Sequence, residues 1–372
     1  MDFEFCIQDP TDPDTHYLYE AIIGAASEAT TWRGMYAFAT RGGVDQLIED
    51  PVVHDFMHRG GAIDLIVGID AVTNRQTLER MQELETRHST FRPRVFWNST
   101  RGLFHPKISH FGYADGRKKL IVGSGNLTPG GLMHNFEGYS VVSGGRRESL
   151  DLASLDAFLA RHAADIRPID QEALDRAALN VMRPVVGVPR PRVPQARPPS
   201  VRPLPVGVSA ARAAALDRIL VAEVPRAGGR WSQSHLNAAV IRDYFRVTNL
   251  ATQRVYLTHV DAGGVRGEEK VRQVVYSTSN KNYKVEISAA KGKDYPTAGH
   301  PMLIFRERHV RCFDYMLLMP GDAGYTQTVA LSQALPRLGK GFRRSIADLP
   351  TLAWAWPNCP LLTTVAALND DV

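Results

Sequence analysis

His105 and Lys107 stand two residues apart at the head of a stretch, residues 104–137, that is rich in groups suited to phosphoryl transfer. The run Gly123-Ser124-Gly125-Asn126 follows, and then Asn135-Phe136-Glu137. Cleaving a phosphodiester without a metal takes a nucleophile, positive charge or donors for the non-bridging oxygens, and an acid for the leaving oxygen. His105 can attack phosphorus. Lys107 and the Asn126 amide can hold the non-bridging oxygens, with Ser124 or nearby backbone N–H groups as further donors. Glu137 can orient an imidazole through one ring nitrogen and stabilise the imidazolium. A His-x-Lys pair alone is common, and a lone GSGN is a turn; their order and spacing single the stretch out.

One group is missing, a second histidine to protonate the leaving oxygen. Neither His110 nor His134 is followed by Lys at the second position, and no other histidine is. A symmetric dimer would supply a second His105 and double Lys107 and Asn126 around one site. A metal reading of His105, His110 and Asp115 is weaker. His110 faces away from His105 on a strand, and Asp115 sits in Ala114-Asp115-Gly116, where a turn wants Asp. No metal or other cofactor is expected.

These residues need strands to carry them. Residues 104–111 read as a strand, which puts His105, Lys107 and Ser109 on one face. The turn at 114–116 folds the chain back, 118–122 is the return strand, 127–135 a short helix or loop, and 137–142 one more strand. Upstream, strands at 3–7, 32–39, 63–69 and 94–97 alternate with helices at 17–29, 44–58 and 73–87. The continuous apolar run IDLIVGI at 63–69 suits a strand buried on both faces. This rhythm implies an α/β sheet flanked by helices. An amphipathic helix follows at 150–162.

Residues 183–208 are dominated by Pro, Val and Arg, a composition that favours extended polyproline II and reads as an interdomain linker. Its arginines Arg190, Arg192, Arg197 and Arg202 are alternatively contacts to a phosphate backbone or to the active-site groove. The chain therefore divides into domains 1–182 and 209–372. After a helix at 210–221 the second domain reads as strands at 244–248, 254–259, 271–276, 283–287, 302–305 and 313–318, a pattern of a β-barrel or sandwich. No internal repeat is visible.

The 372 residues are enough for two cores, and the net charge of +5 permits an anionic partner without demanding one. The three cysteines, Cys6, Cys312 and Cys359, have neither metal-ligand spacing nor the pattern of a disulfide framework, which fits a reducing cytoplasm. The acidic N-terminus has no apolar core of a signal peptide, and no apolar run reaches 18 residues. A cytoplasmic location is expected.

The set His105-x-Lys107, GSxN at 123–126 and Glu137, eleven residues after Asn126, resembles the phospholipase D superfamily in its single-motif nuclease branch. The wider superfamily often has Asp five residues after the Lys, where this chain has Gly112. The resemblance implies a phospholipase-D-like domain with a mixed sheet and a covalent phosphohistidine. The symmetry-related histidine would be the general acid, and activity would be independent of divalent metal. The catalytic set would be His105, Lys107, Ser124, Asn126 and Glu137.

The second half, with NKNYKVEIS and YMLLMPGDAGY, resembles restriction endonucleases of the BfiI and NgoFVII type. Their C-terminal domain is B3-like, a mainly-β open pseudobarrel that clasps the DNA major groove between two arms. By that resemblance residues 226–243 form one arm, with Arg230, Ser232, Gln233, His235 and Asn237 as contacts. Residues 276–283 form the other, with Ser277, Ser279, Asn280, Lys281, Asn282 and Tyr283. The expected partners are double-stranded DNA, a second copy of the chain through the N-terminal domain and, for some relatives, a separate helicase-like ATPase. The chain itself has no Walker-type nucleotide loop. The rival expectations are a phospholipase or non-specific nuclease, and a DNA-binding protein without catalysis.

Overall fold

The computed structural model describes residues 1–98, 102–145, 150–180, 218–226, 231–278 and 281–363. The chain divides into two compact units, the first chiefly residues 14–196 with Met1–Pro10, the second chiefly Arg197–Leu368. The proline-rich stretch 183–208 lies outside the described residues. Among the described residues no helix is long and apolar enough to cross a membrane, and Cys6, Cys312 and Cys359 are buried free thiols.

The first unit is built on an eight-stranded mixed sheet in the order β1-β7-β6-β5-β2-β3-β4-β8. Its strands are β1 (Asp2–Gln8), β2 (Ala29–Tyr36), β3 (Ala62–Gly68), β4 (Phe91–Phe96), β5 (Lys107–Tyr113), β6 (Lys118–Gly123), β7 (Glu137–Gly144) and β8 (Ile166–Pro168). β2, β3 and β4 are parallel, whereas β2–β5, β5–β6, β6–β7 and β7–β1 are antiparallel. Leu65, Ile66 and Val67 of the central β3 are all buried, as its unbroken apolar run requires. The helices are α1 (Leu18–Ala26), α2 (Arg41–Ile48), α3 (Pro51–His58), α4 (Arg75–Arg87), α5 (Ala153–Arg161) and α6 (Gln171–Ala177). α5 lays Leu155, Phe158 and Leu159 over Met35, Ile66, Phe96 and Phe104.

Two readings of this unit are corrected. The helix read over 44–58 is two helices, because Asp50 caps Val52 N at 2.8 Å and Pro51 opens α3. Proline is preferred at a first helical position and breaks a helix interior. The strand read from 104 begins only at Lys107. Pro106 has no N–H for a ladder, and its carbonyl accepts from Ala37 N at 2.8 Å.

The second unit has a six-stranded sheet, β12-β11-β16-β15-β9-β17, and a three-stranded sheet, β10-β14-β13. These strands are β9 (Arg218–Glu223), β10 (Gln233–Leu236), β11 (Arg254–Val260), β12 (Arg266–Gln273), β13 (Val275–Ser277), β14 (Asn282–Glu286), β15 (Met302–His309), β16 (Cys312–Leu318) and β17 (Arg344–Asp348). The larger sheet is apolar on both faces. Leu220, Leu303, Phe305 and Phe313 pack on one side with Leu236 and Val285 of the smaller sheet. Ile219, Val221, Met302 and Ile304 pack on the other with Leu331, Leu352 and Trp356. The helices Tyr325–Ala334 and Leu349–Ala355 that supply those last residues are absent from the strand-only reading.

Two assignments fail here. Residues 218–221, read as helix, are β9, paired to both β15 and β17; alternation of two cores overrides helix propensity. The strand read at 244–248 is absent. The short helix Ala238–Asp243 ends there, and Tyr244 is buried with its hydroxyl on Phe305 O at 2.9 Å.

Candidate active site

Strand register brings the pieces of residues 104–137 to one edge of the first sheet. Ile108 pairs with Val122, so Lys107 comes opposite Gly123. Gly123 pairs with Tyr139, and Ser124 N donates to Gly138 O at 3.0 Å. The end of β2 extends between the two parts of the site. Leu127 N donates to Phe38 O at 3.0 Å, and Thr40 N to Leu127 O at 3.0 Å.

Close backbone approaches hold this arrangement. A Cβ on Gly131 would lie 2.4 Å from Asn126 N, and one on Gly43 would lie 2.3 Å from Leu127 O. Gly131 belongs to a single π-helical turn, Gly130–His134, where a short helix or loop was expected. Such turns recur at functional sites.

His105 is exposed just ahead of β5. Lys107 Nζ lies 2.9 Å from His105 Nδ1, 3.1 Å from Nε2 and 3.2 Å from the His105 carbonyl oxygen. Burial pushes the Lys107 pKa below the ordinary lysine range, and the Glu137 charge opposes that shift. The ring of Phe38 meets His105 edge-on, with centroids 5.7 Å apart.

Ser124 Oγ makes a short hydrogen bond to Glu137 Oε2 and accepts from Gly138 N at 3.1 Å. Asn135 Nδ2 donates to Glu137 Oε1 at 3.4 Å. Glu137 is thus bound by Ser124 and Asn135 rather than by His105. The Asn126 side-chain oxygen is buried and has no hydrogen-bond partner. Ser109 is not an active-site group: it is buried, accepting from Trp32 Nε1 at 3.0 Å and lying 2.7 Å from the Tyr36 hydroxyl. Burial pushes the Tyr36 pKa up to about 12.

Sequence reasoning missed Phe38 and Asn135. Phe38 reaches the site only through the pairing of β2 with β5, which no local pattern announces. Asn135 stands within the stretch but was given no role.

No family model matches the chain, and no curated protein matches it. Among solved structures, Nuc from Salmonella typhimurium, a phospholipase D family member, matches at 16% identity and a TM-score of 0.34, over 45% of this chain and 97% of that one. NucT from Helicobacter pylori matches at 11% identity and a TM-score of 0.33, over 45% and 99%. The N-terminal domain of Helicobacter pylori LlaJI.R1 matches at 9% identity and a TM-score of 0.26, over 35% and 97%.

In the second unit, the smaller sheet gathers part of the expected DNA-contact set. Gln233 pairs with Glu286, His235 with Lys284, Val275 with Lys284 and Ser277 with Asn282. These residues therefore share one face, while Leu236 and Val285 pack into the core and Tyr283 packs against it. Asn282 Nδ2 lies 3.0 Å from His235 Nδ1, and the Asn282 side-chain oxygen is buried without a partner. Burial lowers the His235 pKa, with Lys284 and Arg344 acting in the same direction. Lys281 is exposed at the turn with φ 49°. Ser232 precedes β10, and its carbonyl accepts from Ile287 N at 2.8 Å.

Asn237 is an N-cap: its side-chain oxygen accepts from Val240 N at 2.9 Å and its amide donates to Leu338 O at 2.9 Å. Arg230, Ser279 and Asn280 lie outside the described residues. Lys284, on the polar face beside His235, was missed.

Proposed function

We propose that this chain is a phospholipase-D-like DNA endonuclease of a restriction system that hydrolyses phosphodiesters through His105 without a metal. The observation that supports it most is the convergence of His105 and Lys107 with the Ser124–Glu137 pair at adjoining strand ends. A ring nitrogen of His105 attacks phosphorus as the P–O bond to the leaving deoxyribose oxygen breaks, giving a phosphohistidine. Lys107 leaves the imidazole for a non-bridging oxygen, and Asn126 turns its amide to the same group. Water then attacks the phosphohistidine, the P–N bond breaks, and the 5′- or 3′-phosphate end is released.

The leaving oxygen takes its proton from His105 of the partner subunit, and that same imidazole then accepts a proton from the water. The reading therefore includes a homodimer. A surface for it is at hand. Phe3, Phe5 and Ile7 of β1 are 69%, 62% and 57% exposed on one face, and Val122 of β6 lies in the same row. Phe136, 69% exposed, sits beside Glu137. Apolar side chains exposed together on a strand face are costly to leave in water, and Ile7, opposite Gly138, with Phe136 carries the patch to the strand end where Glu137 stands.

In the second unit the polar face of the smaller sheet, with Gln233, His235, Asn282, Lys284 and the turn Lys281, would read base edges and phosphates as a B3-like module. Arg230, Ser232, Ser277, Ser279, Asn280 and Tyr283 are the further contacts that the resemblance implies. A separate helicase-like ATPase is the further subunit with which some proteins of the resembled type work.

The test is incubation of the purified chain with plasmid DNA in EDTA and in Mg²⁺, beside His105→Ala. Cleavage in EDTA that is lost in the variant is expected. Cleavage only with Mg²⁺, or a variant that still cuts, would refute the reading.

A further inference from the structure

A second cluster of ligating side chains lies at the other end of the first unit's sheet. α3 and α4 each lead into a parallel strand, β3 and β4, and so end at the start of those strands. His105 lies instead beyond the end of β2, next to the Ala37–Pro106 hydrogen bond. His54 and His58 stand one helical turn apart on α3, and His88 is the C-cap of α4. The ring centroids are 4.8 Å apart for His54 and His88 and 5.9 Å for His54 and His58.

Nε2 of both His54 and His88 is buried with no hydrogen-bond partner. Buried imidazole nitrogens are ordinarily paired, so two side by side call for a physical cause. Glu49 Oε2 lies 3.7 Å from His54 Nε2, beyond hydrogen-bond reach. Its other oxygen is held by Arg80 at 2.7 Å and Arg87 at 2.9 Å. His58 Nδ1 lies 2.8 Å from His54 O; a proton there leaves the His58 Nε2 lone pair for another partner.

We propose that His54, His88 and Glu49, with His58 completing the set, form a binding site for a divalent transition-metal ion of the zinc class. Imidazoles on a tetrahedral zinc, with Zn–N about 2.0–2.1 Å, place their ring centres about 5 Å apart and their ligand atoms about 3.4 Å apart. The two ring spacings bracket the first value and the His54–Glu49 gap is close to the second. The donor atoms of His54, His88 and Glu49 do not all lie within 4.8 Å of one another, so binding includes a rotation of the partly exposed His88. Arg80 and Arg87 fix the Glu49 carboxylate in the manner of outer partners at metal sites. The bound ion ties the end of α3 to the end of α4 and takes no part in chemistry at His105.

The test is metal binding by the full chain, independent of nuclease activity. Zn²⁺ is titrated by equilibrium dialysis, and Co²⁺ is added to read its visible ligand-field absorption. The expected result is one ion per chain and a rise in Tm on adding Zn²⁺. Affinity should fall at least tenfold in His54→Gln/His88→Gln and stay unchanged in His105→Ala. If the double variant fails to fold, His88→Asn alone, on a partly exposed helix cap, should show the loss. Absence of stoichiometric binding, or binding retained in the His54 and His88 variants, would overturn the proposal, as would binding lost in His105→Ala. A failure of DNA cleavage would bear on the nuclease reading alone.

Discussion

In the proposed mechanism Lys107 carries two duties at the residue scale: it contacts the His105 ring and then takes up phosphate charge. Burial lowers its pKa against the pull of Glu137. The protonated form is the one that binds phosphate, so activity is lost as pH rises through a pKa below the ordinary lysine value of about 10.4. The pH–rate profile of single-turnover cleavage should therefore fall on its alkaline side earlier than an ordinary lysine would allow. Lys107→Met should lower the rate by about 10²–10⁴-fold and remove that limb. Glu307 titrates in the second unit. It is 1% exposed, and burial pushes its pKa up to about 7 although Arg246 lies 3.0 Å away and opposes the shift. A carboxyl whose folded pKa is raised stabilises the fold at low pH, and that contribution is lost as pH rises through about 7. Thermal unfolding should show Tm falling between about pH 4.5 and about pH 7, with a flatter profile in Glu307→Gln.

At the scale of elements, the site depends on how closely one π-helical turn can approach the GSGN run. Gly131→Ala would place a methyl 2.4 Å from Asn126 N, a backbone atom that cannot rotate away. A shift of this kind costs about 1–3 kcal/mol, and it displaces Asn126 directly. Activity at a temperature where the variant is fully folded should drop more than tenfold, measured beside its Tm; full activity with a lowered Tm would mean that Asn126 is not positioned by this contact. The strand–turn–strand around the motif was legible because apolar alternation and Ala114-Asp115-Gly116 are local signals, and β6 and β7 begin where they were expected. The break at Asp50-Pro51 was equally local and was overlooked. The strand β9 was hidden for another reason: its residues serve two cores at once, and that follows only from the sheet being covered on both faces. The His105–Phe38 contact and the Gly125–Gly131 approach depend on long-range pairing and left no trace in the nearby sequence.

For the whole molecule, the proposed mechanism, with one His-x-Lys pair per chain, makes self-association part of the chemistry. The exposed row Phe3, Phe5, Ile7 and Val122 belongs to an edge strand and its neighbours, a kind of surface that proteins seldom leave uncovered. Phe5→Asp should shift sedimentation from a dimer to a monomer of 41.2 kDa and abolish cleavage, while far-UV dichroism stays unchanged. A fully active monomer would remove the composite site.

The most direct measurement is the chemical identity of the enzyme–DNA intermediate. Radiolabelled DNA is mixed with the chain in EDTA, quenched during the first turnover and digested with trypsin under mildly alkaline conditions, where phosphohistidine survives. The label should travel with the peptide of residues 102–107, attached to His105, and be absent in His105→Ala. Label on another residue, or rapid cleavage with no protein-bound phosphate at any time, would contradict a phosphohistidine mechanism.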